Sequence, residues 1–355
     1  MSSYISGIGC ISPQNTISND VFLTEPVNQN ALFLQCIQPE SYRDYINPLL
    51  SRRLSRIIKM GITSALISIK EAGIDNPGAI ITGTGLGCVE DTEKFLMTML
   101  DNNETLMNPT NFMQSTYNTI SSQIAIILKC FNYNSTYVHR GFSFESALTD
   151  ALDLIRTGEA NSALVGGIDE FTENHFRVTS LLGDWRCKTE NNLDLIRNPG
   201  LGTIPGEGSV FVTLTKDKVA STYACLQGTK TLYKPKSKSL IYGAITKLLE
   251  ENQLRLEDID LIVAGMNGNA KGDVYYLDVI NNLFANTPVA VFKNLCGEYH
   301  TASAFGMWLS ANIIKRQFVP EVCLFNAHKP SKIKHVLLYN HFAGQQHSLM
   351  LLSKI

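Results

Sequence analysis

The sequence of 355 residues lacks the features that mark several large classes of protein. Its 30 basic and 32 acidic residues leave no cationic surplus for a phosphate backbone, so we expect no nucleic-acid partner. No apolar run approaches the roughly 18 residues that a membrane helix needs. The first residues, Met1 to Ile5, show no basic and apolar signal-peptide pattern. We therefore expect a cytoplasmic location and no membrane partner.

Two cofactor signatures are also missing. The eight cysteines form no CxxC pair, which excludes a zinc knuckle or a dithiol redox motif and predicts reduced, mostly buried thiols. Glycines 83, 85 and 87 follow a predicted strand, but their GxGxG spacing is not the GxGxxG of dinucleotide sites, and no acidic ribose partner follows. The glycines therefore predict a tight turn, and we expect neither a metal nor a cofactor.

The periodicity that is present alternates between strand and helix, which predicts an α/β fold. Predicted strands span Tyr4–Ile11, Ala79–Thr82, Ser135–Val138, Ser162–Val165, Gly208–Leu214, Leu261–Ala264, Pro288–Phe292, Val336–Tyr339 and Ser348–Leu352. Predicted helices span Leu54–Ala72, Ile120–Leu128, Ser143–Thr157, Ile241–Asn252, Val274–Phe284 and Thr301–Gln317.

Two of these helices, Ser143–Thr157 and Thr301–Gln317, have little polar face, so we expect each to be buried on most sides. One such helix falls in each half of the chain, bracketed by strands. The pattern predicts two similar layered halves, residues 1–218 and 219–355.

Two local patterns permit a nucleophile. Cys296 and His300 lie four residues apart, like a thiol beside its base, although the intervening Gly297 favours a loop. Ser143 lies near Glu145 at a predicted helix start, where a serine more often caps the helix by accepting from its free N–H groups. We keep Ser143, Cys296 and His300 as fallback candidates.

Long stretches of the chain together resemble the β-ketoacyl-acyl-carrier-protein synthases, the ketosynthases of the thiolase-like superfamily. The resemblance runs nearly end to end and is most specific in SALTDALDLIRTGEANSALVGGIDE. It is also carried by YISGIGCISP, AIITGTGLGCVEDTEKF, MNPTNFMQSTYNTISSQIAI, PGEGSVFVTL and KNLCGEYHTASAFG. The resemblance implies a five-layer αβαβα fold built from two similar halves.

The resemblance also implies a Cys-His-His triad, whose three positions can be located here. Counted back without a gap from Gly166-Gly167, the nucleophile position is Gly141, and no cysteine lies between Cys130 and Cys187. The first histidine position is Gly265, and no histidine lies between positions 175 and 300.

The family lysine matches Lys293, and five residues later Glu298 stands in place of the second histidine. Glycine cannot form a thioester, and an ionised glutamate would repel the negative charge that a histidine stabilises. The resemblance therefore predicts that no residue is catalytic here. The altered glycine-rich loop from Asn340 to His347 points the same way.

Within the family, the chain looks most like the degenerate chain-length-factor subunits of aryl-polyene and flexirubin pathways. This resemblance implies pairing with an active ketosynthase, or with itself, and work alongside an acyl carrier protein. It also implies that the strand at Ser135, Thr136, Tyr137 and Val138 lies at the dimer interface. Two alternatives stay open: an active condensing enzyme or acyltransferase that uses Ser143 or Cys296, and a homodimeric acyl-binding scaffold.

Overall fold

The computed structural model describes residues 3–105 and 109–355, and its largest element is a ten-stranded sheet. The sheet strands are β1 (Ser3–Ile11), β3 (Ala79–Gly83), β4 (Tyr133–Tyr137), β5 (Ser162–Asp169), β7 (Gly208–Thr215), β8 (Ala224–Tyr233), β9 (Leu261–Ala264), β10 (Val289–Val291), β11 (His335–Phe342) and β12 (Gln346–Ser353). Two short strands, β2 (Asn30–Ala31) and β6 (Glu190–Asn191), pair with each other.

The helices precede, connect and follow these strands. They are α1 (Pro48–Ser51), α2 (Arg56–Ala72), α3 (Val89–Asp101), α4 (Pro109–Ser115), α5 (Thr119–Leu128), α6 (Ser143–Thr157), α7 (Glu173–Thr179), α8 (Lys238–Glu250), α9 (Ala270–Leu283), α10 (Lys293–Cys296) and α11 (Ala302–Arg316). Helices α2 and α6 end at Gly73 and Gly158, whose φ angles of 68° and 80° suit glycine at a helix terminus. Within the described residues, none of these helices has the length and apolarity to cross a bilayer.

The two halves of the chain have the same strand arrangement. In the first half the order is β4-β3-β5-β7-β1, and in the second it is β10-β9-β11-β12-β8. In each half, two parallel pairings are followed by two antiparallel ones. Antiparallel pairing of β1 with β8 joins the halves into one sheet. The division at residues 218 and 219 remains a proposal, which this repeated topology supports.

Both faces of the sheet are covered, so successive strand residues enter different hydrophobic clusters. In β9, Leu261 and Val263 join the central cluster with α6 and α11, whereas Ile262 and Ala264 join the cluster around α8 and α9. In the first half, Ile80 joins the outer cluster of α2 and α5. The two halves of the continuous sheet thus form two layers that alternate with three helical layers, and the α/β, thiolase-like five-layer prediction is confirmed.

Several sequence-based boundaries were wrong. The strand predicted at Ser135–Val138 is Tyr133–Tyr137, so Val138 lies just beyond it. Strand β8 and helix α3 were not predicted at all. Part of the stretch that resembles the family, Met107 and Asn108, lies outside the described residues.

The expectation of two deeply buried helices holds for only one of them. Helix α11 is buried along nearly its whole length, because it lies between the two sheet layers. Helix α6 buries one side, through Phe144, Ala147 and Leu148, but leaves Thr149 and Asp153 exposed. The exposed side of α6 lies beside β4 at the end of the sheet.

Candidate functional site

The nucleophile position of the family lies in a tight turn between β4 and α6. The turn is a single 3-10 segment, Arg140–Phe142, and Gly141 in it is buried. Arg140 has a φ of 51°, which is an uncommon conformation for a residue with a side chain. The turn therefore presents residue 141 just before the first turn of α6, where the positive end of the helix dipole lies.

A side chain at position 141 would have no room. A Cβ built on Gly141 would overlap the Cβ of Phe342 and lie 2.9 Å from its Cγ. The Gly141 N–H donates to Oε1 of Gln346 at 3.0 Å, and Nε2 of Gln346 donates to the carbonyl of His139 at 3.1 Å. The β11–β12 hairpin thus holds the turn and places Phe342 where a nucleophile would stand.

The first histidine position is filled in the same way. Gly265 directly follows β9, and a Cβ there would overlap Oδ1 of Asn340 and lie 2.8 Å from the hydroxyl of Tyr276. Tyr276 is fully buried and stacks on His341 with ring centroids 4.3 Å apart, so it has no space to move away from a larger side chain at position 265. No imidazole fits at position 265 without rearrangement of these side chains.

The second histidine position carries a buried ion pair. Lys293 donates from Nζ to both carboxylate oxygens of Glu298, at 2.9 and 2.7 Å, and to the carbonyl of His341 at 3.1 Å. Glu298 also accepts from Nδ2 of Asn267 at 2.6 Å. Burial raises the pKa of Glu298, and the charge of Lys293 opposes that shift. Lysine and glutamate therefore satisfy each other, and neither is free to stabilise a developing enolate.

Hydrogen bonds to the carboxyl group of Asp273 hold the loop after β9, a role that the sequence did not indicate. Asp273 accepts from the N–H groups of Asn267 and Gly268, at 3.0 and 2.9 Å. Burial raises the pKa of Asp273 to about 6. These contacts fix Asn267 beside Glu298, so the loop supports the ion pair.

Ser143 has the environment of a structural residue. It is the first residue of α6 and is fully buried, and its Oγ accepts from the His139 N–H at 2.8 Å and donates to the Arg140 carbonyl at 2.7 Å. The expected capping of the helix N–H groups was therefore wrong. The hydroxyl instead closes the turn before the helix, and no side-chain base contacts it among the described residues.

Cys296 and His300 have different surroundings. Cys296 ends α10 and is fully buried, and burial raises the pKa of its thiol well above the ordinary value. His300 packs on Phe342 with ring centroids 4.4 Å apart, and burial lowers its pKa. A thiol that resists ionisation is a poor nucleophile, so the burial of Cys296 does not favour this pair as a catalytic dyad.

The four predicted interface residues lie along one end of the sheet. Strand β4 is the last strand in the order and pairs only with β3 among the described residues. Ser135, Thr136 and Tyr137 are all half-buried, and the hydroxyl of Thr136 lies 2.9 Å from the hydroxyl of Ser121. Val138, just beyond the strand, is 44% exposed. The edge of β4 is open to a neighbour, although the Thr136 hydroxyl already pairs with that of Ser121.

Comparison with known proteins identifies the class of this fold. The chain shares the thiolase-like ketosynthase fold with solved structures over its full length. Residues 27–220, more than half of the chain, match the family model of the β-ketoacyl synthase N-terminal domain. The chain therefore belongs to the β-ketoacyl synthase family, as its sequence motifs indicated. No curated protein sequence matches it significantly.

Three similar structures illustrate the range of the fold. The ishigamide ketosynthase/chain length factor is 19% identical with a TM-score of 0.80, covering 100% of this chain and 99% of its own. A β-ketoacyl synthase from Burkholderia phymatum STM815 is 16% identical with a TM-score of 0.82 and the same coverage. A ketosynthase in complex with its chain length factor from Xenorhabdus doucetiae is 17% identical with a TM-score of 0.78, covering 100% and 98%.

Proposed function

We propose that this chain is a non-catalytic ketosynthase-like subunit, of the kind called a chain-length factor. In this role it pairs with an active β-ketoacyl-acyl-carrier-protein synthase and shapes the tunnel that holds the growing acyl chain. The chain would then contribute shape and a binding surface to a condensing complex, while the partner contributes the chemistry.

The observation that carries this proposal is that other side chains fill the space at two of the triad positions and that an ion pair occupies the third. Phe342 fills the space beside Gly141, Asn340 and Tyr276 fill the space beside Gly265, and Lys293 neutralises Glu298. At a vacant position, one substitution could restore the missing triad side chain. At these positions, the neighbouring side chains that fill the space would have to be replaced as well. The covalent step and its electrostatic support are both missing.

The proposed partner is supported by the open edge of β4 and by the kinds of proteins that share the fold. An uncovered edge strand exposes backbone groups that another chain can pair with. Two of the similar structures are described as a ketosynthase together with a chain length factor. An acyl carrier protein as second partner, an aryl-polyene or flexirubin-type pathway and a cytoplasmic location belong to the same proposal and follow from the family resemblance.

Intact-protein mass spectrometry tests the proposal. The chain is incubated with acyl- and malonyl-carrier protein, alone and after co-expression with a candidate partner ketosynthase. We expect the ketosynthase to gain an acyl mass and this chain to gain none, with or without the partner. An acyl adduct on this chain, mapped by peptide analysis to Ser143 or Cys296, would overturn the proposal in favour of an active enzyme.

One exposed thiol needs its own control. Cys187 is exposed, whereas the other seven cysteines are buried. Because an exposed thiol can exchange with a thioester without any active site, the experiment is repeated with Cys187→Ser. An adduct that disappears in this variant is adventitious. If the chain forms only stable homodimers and never binds a ketosynthase, the pairing proposal fails and the acyl-binding scaffold takes its place.

A further inference from the structure

The hairpin of β11 and β12 has two histidines at the base of its turn. His341 and His347 are cross-strand partners, and their ring centroids lie 5.2 Å apart. The turn, residues 342–345, closes through a backbone hydrogen bond of 3.0 Å between its end residues. Its two central residues, Ala343 and Gly344, have φ angles of 51° and 65°. The left-handed conformation costs an alanine about 1–2 kcal/mol, so contacts outside the turn are needed to stabilise it.

Both histidines contact Gly344 at the tip of this turn. Nδ1 of His341 accepts from the Gly344 N–H at 3.3 Å, and Nε2 of His341 donates to the Gly272 carbonyl at 2.9 Å. Nε2 of His347 donates to the Gly344 carbonyl at 3.1 Å, and its Nδ1 accepts from the hydroxyl of Tyr339 at 2.8 Å. The carbonyl partners place a proton on Nε2 of each ring. A second proton on Nδ1 of His341 would face the Gly344 N–H and break that hydrogen bond.

The surroundings of the two rings oppose a positive charge. Burial lowers the pKa of both histidines, and the charge of Lys293 adds to this effect at His341. Neither ring bonds to a carboxylate among the described residues. The other charged groups near the pair are Asp273 and Glu298, the ion pair of Asp278 with Lys238, and Lys234 at the end of β8.

Two tyrosines of α9 complete the surroundings of the pair. Tyr275 contacts both imidazole rings edge to face, with ring centroids 5.6 Å from His341 and 5.1 Å from His347. Tyr276 stacks on His341 and donates no charge of its own, since burial raises its pKa well above the ordinary value. Both rings are therefore enclosed by uncharged aromatic groups on this side, which supply no counterion for a protonated histidine.

The same hairpin reaches the turn that precedes α6. Phe342 fills the space beside Gly141, and the side chain of Gln346 bonds to the Gly141 N–H and to the His139 carbonyl. His300 packs on the other side of this contact, against the ring of Phe342. A displacement of the hairpin tip would therefore withdraw Phe342 and loosen the turn that follows β4.

We propose that His341 and His347 form a pH-sensitive clasp, in which protonation releases the tip of the hairpin and withdraws Phe342 from Gly141. The proposal concerns contacts within this chain and does not rest on the proposed function. The clasped state binds fewer protons than the released state, so it is favoured above about pH 6.5 and is lost as the pH falls. Each histidine that gains a proton on release raises the opening equilibrium constant by up to about tenfold per pH unit below that value.

Hydrogen-exchange mass spectrometry of the full chain between pH 7.5 and 5.5 tests the clasp, with each rate corrected for the intrinsic pH dependence of exchange. We expect residues 335–353 to exchange at least about tenfold faster at pH 5.5, while α2 changes by less than about twofold. The acceleration should disappear when His341→Gln and His347→Gln are combined. His328→Gln, which changes an exposed histidine outside the hairpin, should keep it.

Titration of the histidine ring signals by NMR in the parent chain makes the test independent of whether the double variant folds. The signals of His341 and His347 should titrate over the same pH range in which exchange of the hairpin accelerates. The clasp is wrong if the acceleration persists in the double variant or disappears in His300→Gln, because another group would then drive it. It is also wrong if α2 accelerates as much as the hairpin, or if both rings titrate while the hairpin stays protected.

Discussion

The two halves of the molecule have the same strand order, but only one of their two outermost strands is covered by other residues of the described chain. In the second half, the edge of β10 is covered by the chain itself: Phe325 donates to the Val289 carbonyl at 2.9 Å, and Oδ1 of Asn326 accepts from the Val289 N–H at 3.1 Å. In the first half, β4 occupies the equivalent place and has no such cover among the described residues.

Several apolar side chains around β4 are exposed, as is the edge of the strand itself. Phe131 is 96% exposed, and Ile126, Tyr133 and Val138 are each at least 44% exposed. A chain that covers one sheet edge with its own residues and leaves the equivalent edge uncovered, beside exposed apolar side chains, offers the second edge to a neighbour. The repeated topology thus supplies an internal control for the proposal that a partner chain docks along β4.

The largest expected effect concerns the buried ion pair of Lys293 and Glu298 in the second half. Lys293→Met leaves Glu298 buried without its cation, so we expect it to lower the free energy of unfolding by about 3–5 kcal/mol. Replacing both residues by methionine should restore most of the loss, because no unpaired charge remains. Urea denaturation measures both variants. Equal loss in the single and double variants would show that the pair is held by packing and not by charge.

The next prediction tests the filled nucleophile position of the first half. Gly141→Ala places a Cβ against Phe342, and we expect it to lower the free energy of unfolding by about 1–3 kcal/mol. In the background of Phe342→Ala the same change should cost much less, because the overlapping ring has been removed. A double-mutant cycle measured by denaturation gives this coupling directly. Additive effects would mean that Phe342 does not occupy this space.

The extent to which the sequence predicted this site has a physical reason. The positions of Gly141, Gly265 and Glu298 were located from the resemblance to family motifs, which are short stretches that a sequence carries locally. The side chains that fill the space beside the two glycines, Phe342 and Asn340, come from β11. Phe342 lies about 200 residues from Gly141 along the chain. Only the tertiary fold brings them there.

The elements that the sequence did not predict are those with weak periodicity. Helix α3 exposes Leu96, Met97 and Leu100, so its apolar residues do not form the buried face that identifies a helix. Strand β8 buries its first residues and leaves most of its second part half-buried, which blurs the alternation of a strand. The strands buried on both faces, such as β9 and β11, were predicted to within a few residues because they are nearly continuously apolar.

A smaller effect is expected at the covered edge. Asn326→Ala removes the acceptor for the buried N–H of Val289 and should lower the free energy of unfolding by about 1–2 kcal/mol. Because it uncovers β10, the variant should also self-associate more readily in sedimentation experiments. Asn286→Ala, in the neighbouring loop, serves as the control. A variant that stays monomeric would show that the remaining cover is enough.

The open edge gives a matched comparison at a similar scale. Val138 beside β4 and Val274 on α9 are both 44% exposed. We expect Val138→Asp to weaken association with the partner chain by about tenfold, which corresponds to about 1.4 kcal/mol, since it puts a charge into the interface. Val274→Asp should leave association unchanged. Similar behaviour of the two variants in size-exclusion and sedimentation measurements would remove the distinction between the two halves.

The smallest effect concerns pH. The closing hairpin of the second half contains His341, whereas β5 and β7, the equivalent strands of the first half, contain no histidine. Burial and the nearby charge of Lys293 lower the pKa of His341 well below its ordinary value, and its Nδ1 accepts from the Gly344 N–H at 3.3 Å. At His341 the folded chain therefore binds fewer protons than the unfolded chain in mild acid.

A lowered pKa in the folded state gives stability that is present above the unfolded value, about 6.5, and is lost as the pH falls below it. Between about pH 6.5 and 5.5 we expect His341 to contribute a loss of up to about 1 kcal/mol. Acids with raised pKa, such as Asp273 at about 6, act in the opposite direction, so the total curve mixes both. The difference between the parent chain and His341→Gln isolates the histidine. Parallel curves of unfolding free energy against pH would mean that the pKa of His341 is the same in the folded and unfolded states, so that its burial does not make stability depend on pH.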